Sequence, residues 1–187
     1  MNNAVLQRKR EVLSIIDQVK KSSVSNKFRH EMMTYAYVLT NGAIEFMIET
    51  ILREWAKENI NKHGSVGKYS GKKRVSTYLR VSVEICYKKL SRFNNPDYDK
   101  IVELLKNVAG EDIKNKFRKL VKESRGTEPE IDAKLKRINE FRHRIAHGGS
   151  LPKDEQPNLD ELREDFKSVY KYIIKNIDIA LSLRKGI

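Results

Sequence analysis

Hydrophobic residues recur along most of the chain at three- and four-residue intervals, which is the spacing of amphipathic helices. The first such segment runs from Val5 to Val19, and a longer one runs from about Asn26 to about Asn61. Later segments cover about 75–93, 97–107, 111–124, 129–147 and 159–183. Glycine, proline, serine or asparagine separates each segment from the next. The pattern predicts an all-α fold, a single-domain bundle of about five to seven helices spanning residues 1–187.

The segment between the second and third predicted helices, residues 61–74, is spaced by glycines and strongly basic, which predicts an exposed loop. It is not a phosphate-binding P-loop, because Lys73 follows Gly71-Lys72 where that motif requires serine or threonine. A tyrosine among cations can stack on a nucleic-acid base. The candidate nucleic-acid-binding residues are Lys62, Lys68, Tyr69, Lys72, Lys73, Arg74 and, outside the loop, Arg144. A solvated linker explains the same loop equally well.

The net charge and the cysteine content indicate the kind of binding partner and the cellular compartment to expect. The net charge is +13, and a basic excess of this size favours a polyanionic partner such as RNA, although lysine-rich surfaces also serve solubility alone. Cys86, the single cysteine, lies on an apolar row and is expected to pack in the core. The chain lacks an apolar signal segment near Met1 and any run of the ~20 apolar residues that cross a membrane. We therefore expect a cytoplasmic protein with no membrane partner.

The segment from Phe141 to Gly149 combines an inward-facing cation with a histidine at a helix end. Gly148 is the residue type that ends helices, and Arg142 falls on the apolar row between Ile138 and Ile145. A guanidinium on such a row needs a partner or a cleft. At the helix C-terminus, His147 is favoured as imidazolium, so its pKa should tend upward. A proton carrier and a cation are what cleavage of RNA by its own 2′-hydroxyl requires, without a metal.

Two observations weigh against this interpretation. His147 could simply cap the helix carbonyls while Arg142 pairs with a core carboxylate. Five residues also turn an ideal helix by about 140°, so the two side chains would not share a face. Either the helix unwinds at His147, or a symmetric partner brings a second motif opposite the first.

The sequence Arg142-His143-Arg144-Ile145-Ala146-His147-Gly148 resembles the R-x4–6-H motif of HEPN domains. That resemblance implies a small all-helical bundle and, in many members, a metal-independent endoribonuclease of toxin–antitoxin or other defence systems. It also implies a homodimer whose two motifs meet in one active site, with Arg142 and His147 catalytic and His143 supporting them. Members often add a polar or acidic residue from an earlier long helix. Glu45 is our candidate for that residue, and Asn41 is the reserve.

The expected function is therefore an endoribonuclease that needs no cofactor, with RNA as substrate and an antitoxin or another defence protein as a possible partner. A metal site is not expected, because Arg144 stands where a zinc-binding H-E-x-x-H helix has glutamate. The alternatives are a non-catalytic module that binds nucleic acid, nucleotide or a protein partner, and a purely structural dimerisation domain. Binding without cleavage would favour the first alternative, and little salt-dependent RNA affinity the second.

Overall fold

The structure, a computed structural model, describes residues 2–23, 26–66, 88, 90, 93–124, 127–146 and 158–182. Helices make up nearly all of these residues, and no strand occurs among them, so the all-α prediction is confirmed. The helices are α1 (Asn3–Lys21), α2 (Asn26–Val66), α3 (Tyr98–Ala109), α4 (Glu111–Glu123), α5 (Glu128–Ala146), α6 (Leu159–Val169) and α7 (Lys175–Ser182). A π-helical turn, Tyr170–Ile174, joins α6 to α7 without a break in the chain direction.

Side-chain caps set the beginnings of α3 and α6. Asp97 accepts from the backbone N–H of Lys100 at 2.7 Å, and Asn158 accepts from the first turn of α6. A cap of this kind stabilises a helix by about 1 kcal/mol, because it satisfies N–H groups that have no partner within the helix. Gly110 separates α3 from α4 with a φ of 95°, a conformation that side-chain-bearing residues rarely adopt.

One predicted boundary is wrong. Helix α2 continues to Val66, about five residues past the predicted end, so residues 61–66 of the predicted basic loop 61–74 are helical. The only glycine in that stretch is Gly64, and a single glycine costs a helix about 1 kcal/mol, which is not enough to end it. The rest of that loop, from residue 67 onward, lies outside the described residues.

Helix α2 is the central element of the core. It packs against α1 on one side and against α5 on the other, while α5 also packs on α6 and α4 packs on α7. The predicted inner positions Tyr37, Ile44, Ile48 and Leu52 are all buried, whereas Trp55 is only half-buried. The predicted row on α5 is buried as well, at Ile131, Leu135 and Ile138. Among the described residues, no helix is long and apolar enough to cross a bilayer.

An ion pair between a partly exposed arginine and a buried aspartate joins α5 to α6. Arg137 Nε donates to Asp165 Oδ2 at 2.8 Å, Nη2 donates to Oδ1 at 3.1 Å, and Nη1 donates to Glu161. The Asp165 side chain is 5 % exposed and that of Arg137 is 37 % exposed. Burial raises the pKa of Asp165, although the Arg137 guanidinium acts in the opposite direction. The pair therefore orients α5, the helix that carries the R-x4–6-H motif.

Candidate active site

Arg142 lies in the last part of α5, where its partly buried guanidinium is bound by a neutral group. Its Nη1 donates to the side-chain oxygen of Asn95, 47 residues earlier in the chain. Within the described part of the chain, Arg142 makes no ion pair with a carboxylate. This differs from the alternative in which Arg142 pairs with a core carboxylate, and it differs from Arg137 on the same helix, whose charge is matched by Asp165 and Glu161.

Asn95 connects Arg142 to the long helix α2. Its backbone N–H donates to Glu45 Oε1 at 2.7 Å, and its carbonyl accepts from Lys100 Nζ at 3.2 Å. Asn95 has a φ of 48°, in the left-handed region that asparagine tolerates better than most residues. The loop before α3 is thus shaped so that one residue contacts Glu45 through its backbone and Arg142 through its side chain.

Glu45 and Asn41, the candidate and its reserve for the supporting polar residue, belong to this same cluster. Asn41 Nδ2 donates to Glu45 Oε1 at 3.1 Å. Asn41 is fully buried, and its side-chain oxygen has no hydrogen-bond partner among the described residues. We refer to Asn41, Glu45, Asn95 and Arg142 as the Glu45 network. It leaves Glu45 in contact with the loop rather than with Arg142 directly.

Asn95 was not among the residues singled out from the sequence, where Asn94-Asn95-Pro96 indicated only the end of a helix. A signal was present, since an asparagine before a proline at such a break is a typical position for left-handed backbone and for local side-chain bonds. The pattern did not indicate that its side chain would contact the motif arginine.

His143 follows Arg142 on α5, so the two side chains leave the helix about 100° apart. It is exposed and lines a cleft of about 310 Å³ with Asn95, Asn139 and Arg144. We call this the α5 cleft. Asn95 is the residue that the cleft and the Glu45 network share. The structure thus brings Arg142 and Glu45 into one network and places His143 and Arg144 beside it.

The remaining candidates fall outside what the structure describes. His147 lies beyond the described end of α5, as do Lys68, Tyr69, Lys72, Lys73 and Arg74 beyond the end of α2. Lys62 lies in the helical backbone of α2, but its side chain is not described. In the part of the chain that is described, no three histidine, cysteine, aspartate or glutamate side chains are grouped to hold a metal ion.

Substitutions at Asn95 separate its two functions. In Asn95→Gly the left-handed backbone is retained, and with it the bond to Glu45, but the group that accepts from Arg142 is lost. In Asn95→Asp the backbone bond to Glu45 and the acceptor for Arg142 are both retained, and a negative charge is added next to Arg142. If Arg142 acts on RNA, we expect Asn95→Gly to lower the cleavage rate about tenfold, because one charge-assisted hydrogen bond that positions the guanidinium is lost.

The measurement is single-turnover cleavage of one RNA by both variants, with thermal unfolding as the control for folding. Asn95→Asp also tests whether the partner of Arg142 must be neutral, and a rate below that of the unsubstituted protein is expected. An unchanged rate in both variants would show that Asn95 does not position the arginine.

The comparisons with known proteins bear on the whole chain. The family model described as RiboL-PSP-HEPN matches residues 3–183, which includes every helix described above. Searches of curated proteins and of solved structures gave no match.

Proposed function

We propose that this chain, which belongs to the RiboL-PSP-HEPN family of HEPN domains, is a metal-independent endoribonuclease that acts as a homodimer in the cytoplasm. Membership in a HEPN family supports a nuclease or another RNA-related role. The more specific proposal is an enzyme of a toxin–antitoxin or antiviral defence system, with RNA as substrate and an antitoxin or similar protein as regulator.

The observation that carries this proposal is the environment of Arg142. A partly buried guanidinium held by a neutral amide keeps its positive charge available for an anion, whereas one matched by carboxylates does not. A guanidinium has five N–H donors, and the bond to Asn95 uses one of them. Arg142 can therefore be positioned by Asn95 and still donate to the oxygens of a phosphate.

In the proposed reaction, the 2′-hydroxyl of RNA attacks the adjacent phosphorus, and the bond to the 5′-oxygen of the next nucleotide breaks. His147 acts as general acid/base: it accepts the proton that the 2′-hydroxyl loses and returns a proton to the leaving 5′-oxygen, so that no net proton is consumed. Arg142 stabilises the phosphorane as it gains negative charge, and the motif's second polar residue, His143, assists from the neighbouring face of α5. The basic residues of 61–74 hold the RNA backbone. The products carry 2′,3′-cyclic phosphate and 5′-hydroxyl ends.

A purified-protein assay tests this directly. RNA incubated with the protein in EDTA is expected to yield fragments with 2′,3′-cyclic phosphate ends, identified by mass spectrometry. Fragments with 3′-hydroxyl ends would reject the chemistry. RNA that is bound but remains intact would reject the nuclease and favour the non-catalytic binding module.

The homodimer is supported by an exposed apolar stripe on α2. Among the described residues, five large hydrophobic side chains are exposed, and four of them lie at helical spacing on α2, at Phe28, Tyr35, Val38 and Phe46. Gly42 lies on the same stripe, and a Cβ placed there would meet no atom within 4 Å. Phe28 to Phe46 covers about 27 Å of helix at 1.5 Å per residue. We call this face the α2 stripe.

The occupant that we propose for the α2 stripe is the same stripe of a second copy of the chain, because two copies of α2 are complementary to each other. Two α2 helices crossing antiparallel at Gly42 would place Val38 against Phe46 and Glu31 opposite Arg53 of the partner subunit. Apolar contacts then lie at the crossing, while Glu31 and Arg53 lie about 16 Å from it along each helix. Arg53 also pairs with Glu49 of its own helix, and the net charge of +13 otherwise repels two copies. Glu45 is one turn from Gly42, so the two Glu45 networks would lie on either side of the two-fold axis.

Val38→Glu tests this interface. The substitution places like charges near the crossing and is expected to weaken the dimer by about 100-fold or more. Analytical ultracentrifugation at micromolar concentration should show a dimer for the unsubstituted protein and a monomer for Val38→Glu. The matched control is Ile179→Glu, which changes a 42 % exposed isoleucine on α7 rather than a residue of the α2 stripe, and should leave the dimer intact. A monomeric unsubstituted protein, or a Val38→Glu dimer, contradicts the interface.

A further inference from the structure

Helices α1 and α6 pack side by side and run in opposite directions. Arg163 Nε on α6 donates to Asp17 Oδ1 on α1 at 2.9 Å. Nearer the beginning of α1, Lys9 Nζ lies 4.2 Å from the centre of the Tyr170 ring. Residue numbers thus fall along α1 as they rise along α6, and the contact continues into the π-helical turn.

The π-helical turn brings two lysines onto the same side of the α6–α7 segment. Lys167 and Lys175 are eight residues apart, and an unbroken α-helix would turn them about 80° away from each other. The backbone N–H of Lys175 instead bonds to the carbonyl of Tyr170, five residues earlier, which adds about one residue to that turn. The two lysines then diverge by only about 20°. Single π turns within α-helices occur often at functional sites.

Lys9 lies among like charges on this surface. Burial lowers the pKa of its amine, and the neighbouring cations Lys175 and Lys167 lower it further. Within the described residues, Lys9 and Lys175 make no ion pair. Lys171, between Lys167 and Lys175, donates to a neutral group, the hydroxyl of Tyr172, at 3.2 Å. We call Lys9, Lys167, Lys171 and Lys175 the lysine face.

Cations on α5 show the opposite arrangement. Lys134 pairs with Glu130 at 2.8 Å, and Lys136 pairs with Asp132 at 2.6 Å, each across one turn of the helix. On the lysine face the residue one turn away is another lysine, and like charges at that spacing are destabilising. An anionic partner would relieve this repulsion, so the lysine face is suited to binding one.

Both tyrosine rings of this surface are covered by lysine amines. Lys9 lies over Tyr170, which is 3 % exposed, and Lys171 lies over Tyr172 with its amine 4.7 Å from the ring centre. Proteins that hold single-stranded nucleic acid stack its bases on aromatic side chains. The lysine face therefore offers charge to a partner, but no open ring for a base.

Carboxylates mark both ends of the lysine face. Glu164 lies three residues before Lys167, and Asp178 lies three residues after Lys175. Glu164 also pairs with Lys167 at 2.6 Å, but its side chain is 67 % exposed, and exposed pairs of this kind contribute little. A phosphate backbone that continued past the lysines would be repelled by these carboxylates, whereas an acidic segment of a protein can end where the lysines end.

We propose that the lysine face binds an acidic helix of a partner protein, with carboxylates four residues apart over about two turns. Lys167, Lys171 and Lys175 are themselves four residues apart and cover about 12 Å of helix, so each can pair with one carboxylate. None of these lysines belongs to the Glu45 network or to the α2 stripe. The inference rests on the proposed function only for the role of this partner as a regulator of the nuclease.

A designed peptide tests the lysine face without requiring cleavage. The probe is a labelled helical peptide of alanine and glutamine with three glutamates four residues apart. A comparison peptide of the same composition has its glutamates at consecutive positions, which point to three sides of the helix. Fluorescence anisotropy with the full-length protein is measured at low ionic strength, because salt screens exposed charges. The first peptide is expected to bind about threefold to tenfold more tightly than the second. Equal affinities overturn the helical arrangement, and no binding at millimolar concentration overturns the surface.

Matched double variants locate the binding. Lys171→Gln with Lys175→Gln should weaken the first peptide about threefold to tenfold, because two exposed ion pairs are lost. Lys119→Gln with Lys122→Gln is the control, since it removes two exposed cations from α4 and the same net charge. Equal losses in the two double variants would show attraction by net charge alone and would overturn the surface.

A short 2′-O-methyl RNA, which lacks the free 2′-hydroxyl needed for cleavage, is titrated in the same way. If Lys171→Gln with Lys175→Gln weakens this RNA more than the first peptide, the lysine face binds nucleic acid and the acidic helix is rejected. A protein that binds the first peptide but leaves unmodified RNA intact keeps the lysine face and rejects the nuclease. One that cleaves RNA but does not bind the peptide rejects only the lysine face.

Discussion

Replacing Arg142 with alanine is expected to lower the single-turnover rate of RNA cleavage about 100- to 1,000-fold, with little change in thermal unfolding. That range is typical for removal of one donor that stabilises a transition-state anion. Folding should be nearly unaffected, because the described structure gives Arg142 one bond, to Asn95, and no matching carboxylate. The measurement is the rate of fragment formation from a labelled RNA in EDTA, at protein concentrations high enough to bind all of the RNA.

Two further variants show whether the loss is specific. Arg142→Lys retains the charge but loses the planar set of donors, so its rate should fall between those of the unsubstituted protein and Arg142→Ala. Arg10→Ala removes an exposed cation from α1, far along the chain from the motif, and should leave the saturated rate unchanged. An Arg142→Ala protein that cleaves as fast as Arg10→Ala would remove Arg142 from the mechanism.

Replacing Arg137 with methionine is expected to lower the free energy of unfolding by about 2–4 kcal/mol. Removing one partner of a buried ion pair leaves the other charge uncompensated, at a cost of about 3–5 kcal/mol when both groups are buried. Arg137 is 37 % exposed, so solvent screening reduces the cost. In a domain of this size the midpoint of thermal unfolding should fall by roughly 5–15 °C. The double variant Arg137→Met with Asp165→Leu should recover most of the loss, since an apolar pair fills the same space without a buried charge.

The cost of Arg137→Met should also shrink as the pH falls. Burial already raises the pKa of Asp165 above its ordinary value of 3.8, and removing the guanidinium raises it further. The folded variant then binds the proton more tightly than the unfolded chain, so its free energy of unfolding increases as the pH falls through the raised pKa toward 3.8. Denaturant unfolding of both proteins at pH 7 and pH 5 measures the difference, in which the contributions of carboxylates that do not contact Arg137 cancel. A cost at pH 5 as large as that at pH 7 contradicts this account of Asp165.

The helices were predictable from the sequence because their signal is local. Apolar residues that repeat every three or four positions identify a buried face within a single element, and Tyr37, Ile44 and Ile48 on α2 are buried as that repeat predicts. The same repeat does not show where a helix ends when neither a capping residue nor a helix-breaking residue marks the end. Helix α2 therefore continued through Gly64 to Val66, beyond the predicted limit.

The candidate site was only half predictable, because its bonds join distant parts of the chain. Arg142 was recognisable as a charge on an apolar row, and Glu45 as a polar residue on the inner side of α2. The residue between them, Asn95, lies 50 positions after Glu45 and 47 before Arg142. The repeat of hydrophobic residues along the sequence gives no information about contacts over such separations. Only the packing of α2 and α5 around the loop before α3 brings the three residues together.

Cleavage of a defined RNA in EDTA by the unsubstituted protein and by His147→Ala tests the central claim most directly. One substrate is all RNA, and a second carries a single 2′-deoxy nucleotide at the cleavage position. The unsubstituted protein is expected to cut only the first substrate, and His147→Ala is expected to cut neither at a comparable rate. Cleavage of the deoxy-substituted substrate, equal cleavage by His147→Ala, or intact RNA throughout would contradict it.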